Sequence, residues 1–161
     1  MKRAVTVLAV CALGALPSAA SAAQKDMVKG HGQLLGDSLN HFNFEAFRDP
    51  ATGAVNGKAN VHDNTTKDGT PKRSFFGDVT CLEIVGNKAV FIVDFRKQKN
   101  RPFDGALFTV EDNGKDNQTS PDRIGIRDFN GPPPPCPSPL AILPPAGTLL
   151  KGDIVVAPAG S

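Results

Sequence analysis

The sequence predicts an all-β domain: a small antiparallel β-barrel of about eight strands, with a β-sandwich as the alternative. Three observations carry that prediction. No long stretch beyond the N-terminal region repeats apolar residues at helical spacing. Short alternating apolar and polar runs, separated by Gly, Asn, Asp and Pro, occur instead, as half-buried strands require. Two of the hairpins can be drawn with a definite register. A barrel is favoured over a sandwich because closure removes exposed sheet edges.

Residues 1–22 read as a secretory signal peptide. Lys2 and Arg3 supply the positive start, Ala4 to Leu16 the apolar stretch, and Ala20-Ser21-Ala22 a small-residue cleavage site. The apolar run falls short of the roughly 18–20 residues needed to span a bilayer. A lipoprotein signal ending at Cys11 is disfavoured by the bulky Val10 before it. The remaining chain, 23–161, is one domain's worth of polypeptide.

Export changes both charge and cysteine content. The chain has 18 Lys and Arg against 16 Asp and Glu, and losing Lys2 and Arg3 leaves 16 against 16. A neutral domain with no basic stripe is a poor nucleic-acid ligand. Of three cysteines, Cys81 and Cys136 remain, and a lone pair in an exported chain is expected to form a disulfide. Two free thiols in catalysis or metal binding are the alternative. No CxxC pair is present, and no histidine lies within about thirty residues of Cys136.

The expected strands are roughly His31–Leu35, Leu39–Phe47, Val55–His62, Ser74–Val85, Lys88–Arg96, Ala106–Glu111, Arg123–Phe129 and Leu149–Ala157. A turn through Asp49-Pro50-Ala51-Thr52-Gly53 sets Glu45 opposite Lys58, Asn43 opposite Asn60 and His41 opposite His62. The other face then carries Phe42, Phe44 and Ala46 against Val61, Ala59 and Gly57, so one face is dry and one wet. A Gly86-Asn87 turn tolerates positive φ. It pairs Ile84 with Ala89, Leu82 with Phe91, Thr80 with Val93 and Asp78 with Phe95. The reverse face of that hairpin is mixed, placing Cys81 beneath a covering segment. Gly131 to Pro145 contains eight prolines, four of them consecutive at 132–135, and is expected to be a polyproline-like strap tied down by Cys136. The last strand is expected to return to the first.

Four segments, GHGQL, FNFEAFRDPATGAVNGKANVHD, VTCLEIVGNKAVFIVDF and VEDNGKDNQTSPDRIGI, together resemble the post-COAP module of secreted bacterial proteins. The resemblance covers about Gly30 to Ile126 and implies an antiparallel barrel-like fold. It implies no activity. The loop after Asp112-Asn113-Gly114 is longer and more basic than in that module, and the proline strap is an elaboration.

Candidate chemistry is sparse. Asp112, Asp116 and Asp122 offer hard oxygen ligands for calcium, but the spacing is not that of an EF-hand loop, and Asp, Asn and Gly are ordinary turn residues. His41 and His62 offer two imidazoles, with His31 as a third if its strand lies alongside, against the simpler reading of a solvated polar face. A carboxylate pair for hydrolysis has no sequence signature, and no GxSxG elbow is present. Sugar stacking ordinarily uses Trp or Tyr; neither occurs, and the ten phenylalanines are mostly needed for the core. The sequence therefore points to an exported, non-enzymatic β-module acting through its surface in the envelope or outside the cell. Its partner is an unidentified protein or small ligand, with no cofactor, no nucleic acid and no membrane span in the mature chain. A barrel binding a ligand or metal ion and a small secreted hydrolase are the alternatives.

Overall fold

A computed structural model describes residues 24–34, 38–66, 73–99, 101–114, 120–137 and 147–160. Residues 1–22, expected from the sequence to be a signal peptide, Asp116 and the second half of the strap lie outside them. Eight strands form one closed antiparallel barrel in sequence order. They are β1 (Asp26–Leu34), β2 (Ser38–Arg48), β3 (Val55–Thr66), β4 (Arg73–Val85), β5 (Lys88–Asp94), β6 (Gly105–Glu111), β7 (Arg123–Phe129) and β8 (Gly147–Ala157). Strand β1 starts earlier than its alternation suggests, because Met27 and Val28 pair with both β2 and β8. The barrel, not the sandwich, is the architecture, and β8 returns to β1 over most of its length.

The β2–β3 hairpin has the expected register throughout, including Glu45 opposite Lys58 and His41 opposite His62. Its turn is held by Asp49, whose carboxylate accepts the Ala51 and Thr52 N–H groups, while Gly53 supplies positive φ. The β4–β5 hairpin turns at Gly86 (φ 61°), with Leu82 opposite Phe91 and Ile84 opposite Ala89. Beyond that point the expected register fails: Val79, not Thr80, faces Val93, and Asp78 faces Asp94, not Phe95. The cause is a β-bulge at Thr80. One extra residue there lets Val79 and Leu82 both point inward while Thr80 is exposed. Without the bulge, the Asp78 carboxylate would enter the core.

The interior is filled with aromatic rings. Phe91 stacks on Phe108 with centroids 4.8 Å apart, Phe44 lies 4.8 Å from Phe91, and Phe42 lies 5.6 Å from Phe44. Phe75, Phe95 and Phe103 form a second group. Rings this large fit only where the facing strand is bare. Gly30 and Gly32 of β1 stand directly opposite Phe44 and Phe42, and a Cβ at Gly30 would lie 2.5 Å from Phe44 Cζ. Outward positions on β1–β3 carry Lys29, His31, Gln33, His41, Asn43, Glu45, Lys58, Asn60 and His62. This apolar-in, polar-out pattern is the inverse of a membrane-spanning barrel. Among the described residues no helix is long and apolar enough to cross a membrane.

Cys81 and Cys136 are joined, with Cα atoms 5.5 Å apart and a sequence separation of 55. The disulfide fixes the strap residues 131–137, which join no strand, to the outside of β4. Outward-facing Val90 and Ile92 of β5 are fully buried, and Cys81 nearly so, as a covered face requires.

Two outcomes follow. Breaking the bridge by Cys81→Ser with Cys136→Ser should cost up to about 4 kcal/mol in denaturant unfolding, from the entropy of the long loop it closes. Gly30→Ala should cost about 1–3 kcal/mol by overpacking against Phe44, measured in the same assay.

Candidate functional site

The first candidate residues belong to the barrel's weakest joint. Strands β7 and β8 pair only at Arg123–Thr148 and Ile124–Gly147. Past that point, side chains take over from backbone. The Asp122 carboxylate accepts the Ile154 N–H at 2.8 Å and the Asn113 N–H at 2.9 Å. Asp112 accepts the Val156 N–H at 3.0 Å and the Gly114 N–H at 2.8 Å. A third carboxylate continues the line: Asp26 accepts the Ala159 N–H at 2.7 Å and binds Arg48, which also reaches Glu83. Each oxygen of Asp112 and Asp122 is thus committed to a backbone N–H. These carboxylates stand where a neighbouring strand's carbonyls would stand. The Asp112 loop is a closure device, and Asp116 lies outside the described residues.

The histidines lie elsewhere, on the outer face of five adjacent strands. Registers align that face in rows. One row runs Lys151, Gln33, His41, His62, Ser74 across β8, β1, β2, β3 and β4. The next runs Asp153, His31, Asn43, Asn60, Phe76, and the third Val155, Lys29, Glu45, Lys58, Asp78, with Asp94 beyond on β5. His41 and His62 are cross-strand neighbours as expected, and His31 stands one row away, opposite Asn43. All three are exposed. Among the described residues no group of three or more His, Cys, Asp or Glu is arranged to hold a metal ion.

A groove of about 340 Å³ opens on this face along β2–β5, lined by Asn43, Lys58, Asn60, Phe76, Asp78 and Lys97, among others. Two shallower hollows follow the same rows across β8, β1 and β2. Phe76 is 58% exposed, so it does not serve the core as sequence reasoning assumed for most phenylalanines. The bulge at Thr80 is the reason. Extending the alternation of Leu82 and Ile84 back along β4 puts Phe76 inside; the extra residue reverses the phase and turns Phe75 inward instead. The inward Asp78 of the unbulged register was the available warning.

Phe76 is held in place. Its N–H donates to Gln98 Oε1 at 3.1 Å, and Gln98 Nε2 donates to the Ser74 carbonyl at 2.6 Å, so one side-chain amide replaces a missing strand. Lys97 pairs with Asp78 at 2.5 Å and Arg96 with Asp94 at 2.6 Å, and the Arg96 hydrogen bonds hold the Asp94 carboxyl below its ordinary value. Lys97 and both of the groove's carboxylates are thus tied up in ion pairs, while Lys58 stands in register between Glu45 and Asp78. Asn60 Oδ1 is different: it is buried and accepts no hydrogen bond among the described residues. Such an atom costs about 1–3 kcal/mol of desolvation that nothing in the fold returns.

The seam generates a pH signature. Burial pushes the Asp122 carboxyl above its ordinary value, with the Asn113 and Ile154 N–H groups pulling the other way. A raised carboxyl binds its proton more tightly in the folded state. Its contribution therefore improves as pH falls through the folded value toward about 4 and is smallest at neutral pH. Asp122→Asn places an NH2 against a backbone N–H and should cost about 1–3 kcal/mol. In urea melts across acid pH, wild type should gain stability relative to that variant as pH falls.

No protein-family model, curated protein or solved structure matches this chain, so its site is read from its own residues.

Proposed function

We propose that this chain is an exported, non-enzymatic binding module of the cell envelope or extracellular space, and that the outer face of β8-β1-β2-β3-β4 is its recognition surface. The observation that carries the reading is the division of labour between the two sides of the sheet. Phenylalanine rings fill the inside, which leaves ligands the outside. There, three aligned rows of His, Asn, Gln, Lys, Asp and Glu border a groove with an exposed ring and an unpartnered amide oxygen. Export is supported by the signal-like residues 1–22 and by the Cys81–Cys136 disulfide, which persists in oxidising compartments. Convergent acid–base groups do not support a hydrolase: the carboxylates of Asp112, Asp122 and Asp26 are all engaged by backbone N–H groups.

The test uses the full chain with a C-terminal tag, expressed in a bacterial host. The expected product starts at Ala23, is found outside the cytoplasm, and carries an oxidised Cys81–Cys136 pair. It should sediment with an insoluble envelope fraction, and Asn43→Arg with Asn60→Arg should abolish sedimentation while Arg127→Ala on β7 leaves it intact. Retention in the cytoplasm with reduced cysteines, or sedimentation indifferent to the face variants, would overturn the reading.

A further inference from the structure

Resting on that face as the recognition surface, we propose that the groove around Phe76 binds a neutral polyhydroxylated ligand, a segment of uncharged oligosaccharide. Phe76 is exposed, stands directly across from Asn60, and has its N–H held by Gln98, which also binds the Ser74 carbonyl two residues earlier, so the ring is presented on a fixed support. A flat apolar ring suits the C–H face of a pyranose, which buries apolar area without losing a hydrogen bond.

The polar groups beside it are amides. Asn43 and Asn60 are adjacent in the same row, and Asn60 Oδ1 lacks a donor. Both residues line the groove, where side-chain amides donate to and accept from sugar hydroxyls.

Competing ligand classes fit less well. A strongly charged ligand finds little net charge to answer it, since Lys97 is paired with Asp78 and Arg96 with Asp94, and Lys58 stands in register between two carboxylates, Glu45 and Asp78. Nucleic acid needs an excess of cations that this face lacks. A protein interface needs a contiguous apolar centre. Among the described residues the large exposed apolar side chains are Phe76, Val85 and Leu150, which lie on different parts of the surface. A single ring flanked by amides and mostly paired charges is the pattern for a polyol. Two further hollows lie along the same rows toward β8, one sharing Asn43 with the groove and His31 with the other, which leaves room for more than one sugar unit.

The experiment is isothermal titration of the exported, oxidised protein with cello-, xylo-, malto- and chito-oligosaccharides, with polygalacturonate as the anionic comparison. At least one neutral oligosaccharide should bind. Phe76→Ala should weaken it by about tenfold or more, and Val85→Ala should leave it unchanged. Asn60→Ala should also weaken binding while keeping the melting temperature at or above wild type, because it removes a buried oxygen that the fold leaves unsatisfied. That separates lost recognition from lost folding. Silence across the neutral panel, tighter binding of polygalacturonate, or binding untouched by Phe76→Ala would overturn the sugar assignment. If the panel is silent while envelope sedimentation still depends on Asn43 and Asn60, the recognition face stands and its ligand class is wrong. If both are silent, both readings fall.

Discussion

A barrel exists only if its last strand is held to its first two neighbours, and here one of those two attachments is made by side chains. Strand β8 pairs with β1 along most of its length but shares only two rungs with β7. The Ile154 and Val156 N–H groups point into the gap, and an unmet buried N–H is expensive. Asp122 and Asp112 meet them across 32 and 44 residues of chain. Carboxylates suit this role because each presents two oxygens and can bind a turn and a strand at once. Charge-assisted hydrogen bonds also offset part of the cost of burying Asp122 completely. Asp26 extends the same solution to the C-terminal end of β8, with Arg48 as its counter-charge. The joint between β7 and β8 has the fewest backbone rungs, so local opening starts there.

Closure then sets the inside. Once the wall is complete, the interior volume is finite, and the chain fills it by placing large residues opposite small ones: Phe44 against Gly30 and Phe42 against Gly32. Interdigitation of this kind gives high density with few voids. The consequence for function is direct. A barrel packed with stacked rings keeps its chemistry on the outer wall, and the strap and disulfide cover the β4–β5 part of that wall. Strands β8, β1, β2, β3 and the start of β4 remain open, where the polar rows and the groove lie.

The site itself depends on one inserted residue. The bulge at Thr80 allows β4 to bury Phe75 and Val79 below it and Leu82 above it. The same phase change that removes Asp78 from the core brings Phe76 to the surface beside Asn60. Bulges bend and re-aim strands at the cost of a rung. Strand β5 ends opposite Asp78, and past that point Gln98 takes the Phe76 N–H and the Ser74 carbonyl, which gives the exposed ring a rigid base.

Local pattern was enough to determine the all-β class, the β2–β3 register, the Gly86 turn with its nearest rungs, and the pairing of Cys81 with Cys136. Each rests on information within a few residues or on a count: alternation assigns faces, turn residues assign registers, and the two cysteines beyond residues 1–22 have one partnership. What only the tertiary structure decided lies at longer range. The Asp112 loop resembles an ordinary turn or a weak ion site, because nothing near it in sequence says that its oxygens are needed by Ile154 and Val156. His41 and His62 were correctly paired, but the groove beside them was invisible, since it is lined by β2, β3, β4 and the loop after β5. Phe76 reads as core because alternation carries no record of a bulge. The phase of a strand is a local property until one extra residue resets it, and whether that reset is accepted depends on what the opposite wall of the barrel has room to bury.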